Sequence, residues 1–337
     1  MAQTALVAVG GNSLIRAGEK GTIAEQLANT RRTAQAIVQI IRLGFRVVVT
    51  HGNGPQVGAA LIRSERAADQ VYAHPLDVCD ATTQGEIGYL LQQSLQVALA
   101  EAGLTTPVAT IVTQVVVSAT DPAMEHPTKP IGPFYSAREA QARRHDLGWD
   151  IVEDAWRGWR RVVPSPEPLE IVEEHVIRRL VETGCLVVAV GGGGIPVVRS
   201  GRTGLHGVEA VIDKDRASAL LASRLQADYF IISTDADRVY VNYKKPGQRP
   251  LGRVTAAEVE GYYRDGQFPP GNMGPKIQSA LRFLRDGGRE VIITSNDRLL
   301  EAVRGDAGTH IVRGPEAAPE GVSGTASGRE RPASRRE

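Results

Sequence analysis

Two lysines keep unusual company, and a third joins them, although a lone lysine is usually a solvated surface residue. Lys214 lies within Val211-Ile212-Asp213-Lys214-Asp215-Arg216-Ala217, a knot of charge between two apolar stretches. Lys276 closes the run Pro270-Gly271-Asn272-Met273-Gly274-Pro275-Lys276, immediately before a helical pattern with Ala280, Leu281 and Leu284 on its face. A cation at a helix N-terminus faces the positive end of the helix dipole. The placement therefore suggests a charge aimed at a ligand phosphate. Lys129 opens Lys129-Pro130-Ile131-Gly132-Pro133-Phe134-Tyr135, a stiff proline-rich loop; taken alone it would be an ordinary surface lysine.

Glycine-rich turns supply matching chemistry. Gly10-Gly11-Asn12, Gly52-Asn53-Gly54 and Gly191-Gly192-Gly193-Gly194 each follow an apolar, strand-like run. Glycine lets backbone N–H groups approach an anion closely, and a following helix adds the positive end of its dipole. Any one of the three reads equally well as a tight turn; three at equivalent places favour anion binding. No GxxxxGK[ST] loop is present, and Gly52-Asn53-Gly54 with Gly58 lacks both the spacing and the acidic residue of a dinucleotide fingerprint. Thr234-Asp235-Ala236-Asp237-Arg238-Val239-Tyr240 follows another apolar run. It reads either as a strand-to-strand turn using Asp for local hydrogen bonds or as the wall of a nucleotide site.

The elements that must position these residues alternate short β-rich runs with amphipathic helices, which predicts an α/β fold with a mainly parallel sheet. Ala5–Val9 and Phe45–Thr50 read as strands ending in glycine turns, with a helix between them carrying Leu27, Ala34, Ile37, Val38 and Ile41 and stopping at Gly44. Further strands are expected at Val108–Val117, Leu186–Val190, Phe230–Ser233, Val239–Tyr243 and Val291–Thr294. Ligands of open α/β sheets bind beyond the carboxyl ends of strands, where the glycines sit. Residues 120–168 break the rhythm and read as an insertion forming a small flap, with short strands near Ile151 and Val162. Trp149, Trp156 and Trp159 read as its packing, and Arg157, Arg160 and Arg161 as its solvated face. Residues 314–337 have almost nothing to bury and read as a disordered tail.

Composition narrows the function classes. A net charge of +1 leaves no bulk basic field for nucleic acid. The seven histidines show no HExxH spacing and the two cysteines, Cys79 and Cys185, no zinc pattern, so free thiols in a reducing compartment are expected. The longest apolar stretch, near residues 185–198, is broken by glycines, so no membrane span is expected. Met1 to Thr4 run straight into a strand-like stretch, so no secretory leader is expected and the protein reads as cytoplasmic.

In one consistent order from Leu6 to Val312, the chain resembles the amino acid kinase superfamily and, within it, the carbamate kinases. The general elements are the first Gly-Gly loop, THGNGPQVG at Thr50–Gly58, TDADRVY at Thr234–Tyr240 and the GxMxxK element ending at Lys276. GGNSL at Gly10–Leu14, PLDVCDATTQGEIGY at Pro75–Tyr89, KPIGPFY at Lys129–Tyr135, VIDKD at Val211–Asp215 and FPPGNMGPK at Phe268–Lys276 are similar to carbamate kinases in particular. Several superfamily relatives carry a lysine in the first strand; Leu6-Val7-Ala8-Val9 has none, as in carbamate kinases. Asn272 stands where serine is common and Ser13 where alanine is common.

The resemblance implies a three-layer αβα sandwich with a central, mainly parallel sheet and a protruding flap. An N-terminal lobe of residues 1–224, carrying the flap at 120–168, would bind carbamate and the transferring phosphoryl group; a lobe of residues 225–313 would bind nucleotide. Lys214 and Lys276 would contact the nucleotide phosphates, and Lys129 would reach the transferred group from the flap. Asp215 would orient the lysines. Gly10, Gly11, Asn12, Gly52, Asn53 and Gly54 would supply N–H donors. Thr234, Asp235, Asp237, Tyr240, Met273 and Gly274 would line the nucleotide pocket. Magnesium would accompany ATP or ADP, held largely by phosphates and water, with no protein metal site. The implied partners are ATP or ADP and carbamate or carbamoyl phosphate, in a homodimer that often runs toward ATP in arginine and carbamoyl phosphate catabolism. The competing readings are another acylphosphate-forming kinase, such as acetylglutamate kinase, and a non-catalytic nucleotide sensor on the same fold.

Overall fold

A computed structural model describes residues 2–16, 18–153, 158–201, 204–269 and 273–314. The residues beyond Gly314, Trp156, Arg157 and residues 270–272 lie outside the described residues. The strands of the main sheet are β1 (Thr4–Val9), β2 (Arg46–His51), β3 (Val108–Thr110), β4 (Leu186–Val188), β5 (Tyr229–Thr234), β6 (Arg253–Thr255), β7 (Glu290–Ser295) and β8 (Thr309–Val312). They lie in the order β6-β8-β7-β5-β1-β2-β4-β3. Every neighbouring pair is parallel except β7 with β8.

The near-continuous apolar strands follow from burial on both faces. Ala5, Val7 and Val9 of β1 point to one side, where they pack with Ile37 of α1 (Ile23–Arg42) and Leu91 of a long helix at Leu76–Glu101. Leu6 and Ala8 point to the other, against Ile177 of Glu174–Glu182, Leu221 of Lys214–Arg224 and Ile277 of Met273–Arg285. These are the three expected layers. In chain order the helices used below are α1, α2 (Gly54–Arg66), α3 (Leu76–Glu101), α4 (Glu174–Glu182), α5 (Lys214–Arg224) and α6 (Met273–Arg285). Among the described residues no helix is long and apolar enough to cross a membrane.

The expected strand Val108–Val117 is two strands. Val108–Thr110 joins the main sheet, whereas Gln114–Val116 enters a separate four-stranded sheet beside Ile195–Ser200. Gln84 of α3 makes the break: its Oε1 accepts from Thr113 N at 2.8 Å, and its Nε2 donates to Thr113 O and Gly191 O, each at 3.0 Å. One buried amide thus holds Thr113 at the point where the chain leaves the main sheet, while the Thr113 carbonyl also accepts from Ile195 N at 2.9 Å.

The flap has three antiparallel strands, Lys129–Tyr135, Trp159–Val163 and Ile151–Glu153, and a helix at Ala137–Leu147. Lys129 therefore begins a strand, not a loop; its proline neighbours are tolerated because that strand lies at the edge of the flap sheet. Tyr135, Ala140, Trp149 and Ile151 form a small core of the flap's own. Arg161, expected on the solvated face, is instead largely covered, with its guanidinium 4.6 Å from the Trp149 ring centre and 3.8 Å from Glu65. Ile131 and Val163 pack with Val57 and Leu61 of α2 and Leu76 of α3, so the root of the flap belongs to the body's core.

Candidate active site

Strands β5, β1 and β2 are parallel neighbours, so the turns at their carboxyl ends lie side by side. This single fact brings together the segments at Thr234, Gly10 and Gly52 that the sequence separates by tens of residues. A Cβ on Gly10 would lie 2.8 Å from the Ser233 carbonyl oxygen, so the crossing to the neighbouring turn requires glycine. One on Gly52 would lie 3.5 Å from Gly11 N and 3.7 Å from Lys214 Cδ. Around Gly11 and Gly54 there is open space, which leaves their backbones approachable.

Lysines arrive over these turns from two helix starts and the flap. Asp213 caps α5, its Oδ1 accepting from the backbone N–H groups of Asp215 and Arg216. Capping fixes the first turn, and with it Lys214 and Asp215. Lys214 Nζ donates to Asp215 Oδ1 at 2.7 Å and reaches the Ala8 carbonyl of β1 at 3.5 Å. Lys276, in the first turn of α6, donates to the other oxygen, Asp215 Oδ2, at 2.9 Å. Lys129 Nζ donates to Asp213 Oδ2 at 2.6 Å. The expected catalytic set of Lys129, Lys214, Asp215 and Lys276 is thus one cluster, and Asp213 joins it. Sequence reasoning quoted Asp213 without giving it a role; its position one residue ahead of a helix start was the available signal.

Burial and mutual attraction pull against each other in this cluster. Burial pushes the Asp215 carboxyl up, but Lys214 and Lys276 outweigh it and hold the group well below the usual carboxylate range. Burial likewise pushes Asp213 up, and Lys129 carries it below its ordinary value. Burial lowers Lys214 despite Asp215, whereas for Lys276 the pull of Asp215 wins and its value rises. Lys129, Lys214 and Lys276 lie against Asp213 and Asp215, and the Asp235 carboxylate also acts on Lys276. Buried ion pairs are weak devices for stability because desolvation offsets the attraction. What the pairs do here is fix the three ammonium groups in place.

Beside the cluster lies a cavity of about 260 Å³ lined by Thr234, Asp235, Tyr240 and Met273 as expected, and by Tyr243, Phe268 and Pro269, which sequence reasoning missed. Met273 lines it and starts the helix that carries Lys276, so one element borders both the cavity and the cluster. Asp237 does not line it; it accepts from the Tyr240 hydroxyl at 2.9 Å and so sets the ring. Gly274 is also outside the lining: a Cβ there would lie 2.9 Å from the Pro269 carbonyl oxygen, so it allows that turn to close on the helix. The third glycine run takes no place at the surface. Gly191, Gly192, Gly193 and Gly194 are buried, with His51, Asn53, Ile212 and Val115 where their side chains would be. Close packing, not anion contact, accounts for that run.

The model of the amino acid kinase family matches residues 3–295. This chain belongs to that family. Curated relatives in the amino acid kinase family include the carbamate kinase of Thermococcus kodakarensis, 50% identical over 91% of this chain and 98% of that protein. The carbamate kinase of Pyrococcus horikoshii is 45% identical over 92% of this chain and 99% of that protein. Among solved structures, carbamate kinase from Giardia lamblia bound to AMP-PNP has a TM-score of 0.86 and 42% identity, covering 92% of this chain and 98% of that one. The similarity to kinases therefore extends through both the lysine cluster and the cavity.

Proposed function

We propose that this chain is a carbamate kinase, moving a phosphoryl group reversibly between ATP and carbamate. The observation that carries the reading is the Lys214–Asp215–Lys276 bridge, set between the open glycine turns and the cavity, with Lys129 brought to it by the flap. In the direction of ATP synthesis, an ADP β-phosphate oxygen attacks the phosphorus of carbamoyl phosphate. The bond to the carbamate oxygen breaks, and carbamate leaves to decompose to ammonia and carbon dioxide. Such a transfer asks the protein for alignment and for positive charge around the phosphoryl oxygens. Lys214 and Lys276 would meet the nucleotide phosphates, Lys129 the transferred group, and the backbone of Gly10, Gly11, Asn12, Gly52, Asn53 and Gly54 the acceptor side. Asp215 orients two lysines and is no base, since carbamate is already an anion.

In this reading residues 1–224, with the flap, hold carbamate, and residues 225–313 hold the nucleotide. Asp213 and Asp215 already accept from lysines, so Mg2+ would be held chiefly by nucleotide phosphate oxygens and water, as suits an ion reluctant to shed its hydration shell. When bound it would neutralise phosphate charge. A homodimer in the cytoplasm is part of the same proposal. The rival, an acetylglutamate-type kinase, is disfavoured by the absence of a first-strand lysine in Leu6-Val7-Ala8-Val9 and by the Lys129-Pro130-Ile131-Gly132 segment. A nucleotide sensor would have no use for three converging lysines. The deciding experiment measures ATP formed from ADP, magnesium and carbamoyl phosphate, beside ATP-dependent phosphorylation of N-acetylglutamate. ATP from the first mixture alone is expected. Turnover of only the second, or ADP binding with neither, would overturn the reading.

A further inference from the structure

The Pro75–Tyr89 segment has so far served only as a point of resemblance, yet one of its side chains controls a turn of the site. Asn53 stands at the N-cap of α2, where an asparagine side chain ordinarily accepts from a first-turn backbone N–H. It makes no such bond. Pro55 has no N–H, so the donor left without that cap is Gln56. The Asn53 amide turns instead to α3: its Nδ2 donates to Asp80 Oδ1 and to Thr83 Oγ1, each at 2.9 Å. Thr83 gives its single proton to the Asp80 main-chain carbonyl at 2.8 Å, so its oxygen can only accept from Asn53, which fixes the amide's orientation. On the other side Gly192 wedges the amide, since a Cβ there would lie 2.3 Å from Asn53 Nδ2. Asp80 is buried, and its Oδ2 has no hydrogen-bond partner. Burial holds this carboxyl well above its ordinary range, which favours the uncharged acid and spares a nearby anion its repulsion.

We infer that Asp80 is a positioning residue of the transfer site: by drawing the Asn53 amide onto α3, it keeps the first-turn N–H of Gln56 available to the anionic acceptor. The inference rests on the functional proposal above. When Asp80 cannot accept, the Asn53 side chain is free to rotate back and cap its own helix, competing with the ligand for the same donor. Asp80 thus acts through Asn53, not on the substrate.

The test is steady-state kinetics of ATP formation with ADP and carbamoyl phosphate varied separately. Asp80→Leu, close in volume but without an acceptor, is expected to raise KM for carbamoyl phosphate about tenfold or more, the scale of one lost hydrogen bond to a charged group. KM for ADP should stay near the wild-type value. Asp80→Asn, which keeps an acceptor, should restore most of the loss. In an Asn53→Ala background, Asp80→Leu should add almost nothing, because the two act as one unit. Thr83→Val removes the second acceptor and should raise the same KM by a smaller factor, which decides the matter if Asp80→Leu does not fold. Equal rises in both KM values, unchanged kinetics in Asp80→Leu or Thr83→Val, or additive effects with Asn53→Ala would overturn the inference while leaving an active wild type's function in place. A wild type that makes no ATP from carbamoyl phosphate would defeat the functional proposal first.

Discussion

At the scale of single residues, the lysines divide by the element that delivers them. Lys214 and Lys276 share one carboxylate and sit in rigid first turns, whereas Lys129 comes on a flap strand and pairs with Asp213. Lys276→Ala should therefore cut kcat by at least about two orders of magnitude, as expected for one transition-state charge contact. Lys129→Ala should lower transfer as strongly while ADP affinity, read by calorimetry, stays nearly constant. An equal loss of ADP affinity would make Lys129 a nucleotide ligand and refute the division. His51, at the end of β2, gives a second prediction. Burial lowers its imidazole to about 4, with the Lys214 charge adding to the effect against a bond to the Gly52 carbonyl. The folded state thus resists protonation while the unfolded state binds a proton near pH 6.5. Stability should fall as pH drops from about 6.5 toward 4, by about 3 kcal/mol in full. Thermal melts across that window should show a flatter slope in His51→Gln than in wild type. Identical slopes would mean that His51 is not the titrating group.

At the scale of elements, the crossing of α2 over the Lys129–Tyr135 strand is the tightest joint near the site. A Cβ on Gly58 would lie 2.0 Å from Gly132 Cα, and backbone cannot move aside as a side chain can. Gly58→Ala should push the flap strand, and with it Lys129, off its position. Overpacking of this kind costs about 1–3 kcal/mol, so a lower Tm is expected together with lost ATP formation and retained ADP binding. Full activity in this variant would show that the flap strand has slack. Gly58 stood out in the sequence as a poor match to a dinucleotide fingerprint and as the end of THGNGPQVG; the structure shows its steric use. The same joint explains why Lys129 is better tested by substitution than by removing residues 120–168, since Ile131 and Val163 would leave a hole against α2 and α3.

At the scale of the molecule, one eight-stranded sheet carries both the Gly10 and Gly52 turns and the Thr234 wall of the cavity, through the β1–β5 pairing. The described chain closes with β8, after which Arg313 donates to the Gly288 carbonyl at 2.9 Å. A chain stopped just after Arg313 should keep this contact and every strand of the sheet. Its Tm and ATP formation are expected to match the full chain. Precipitation or inactivity of the shortened protein would give residues 314–337 a part that their composition does not suggest.

The sequence by itself determined the layered α/β class, since apolar strand runs alternating with amphipathic helices leave few other ways to bury both kinds of face. It also marked Lys129, Lys214, Lys276 and the first two glycine turns, because charge beside glycine is a local signal. It did not expose α3, whose buried stripe includes Asp80, Thr83, Gln84 and Ser94 while Tyr89 and Val97 face outward. Polar residues inside and apolar ones outside blur the helical period. Nor could it separate Gly191–Gly194 from the Gly10 and Gly52 turns, or assign Asp213 to Lys129 and Asn53 to Asp80. Those facts are distances between segments far apart in the chain. They were decided only when parallel pairing of β5, β1 and β2 set the turns side by side and the packing of α3 fixed which amide could reach which carboxyl.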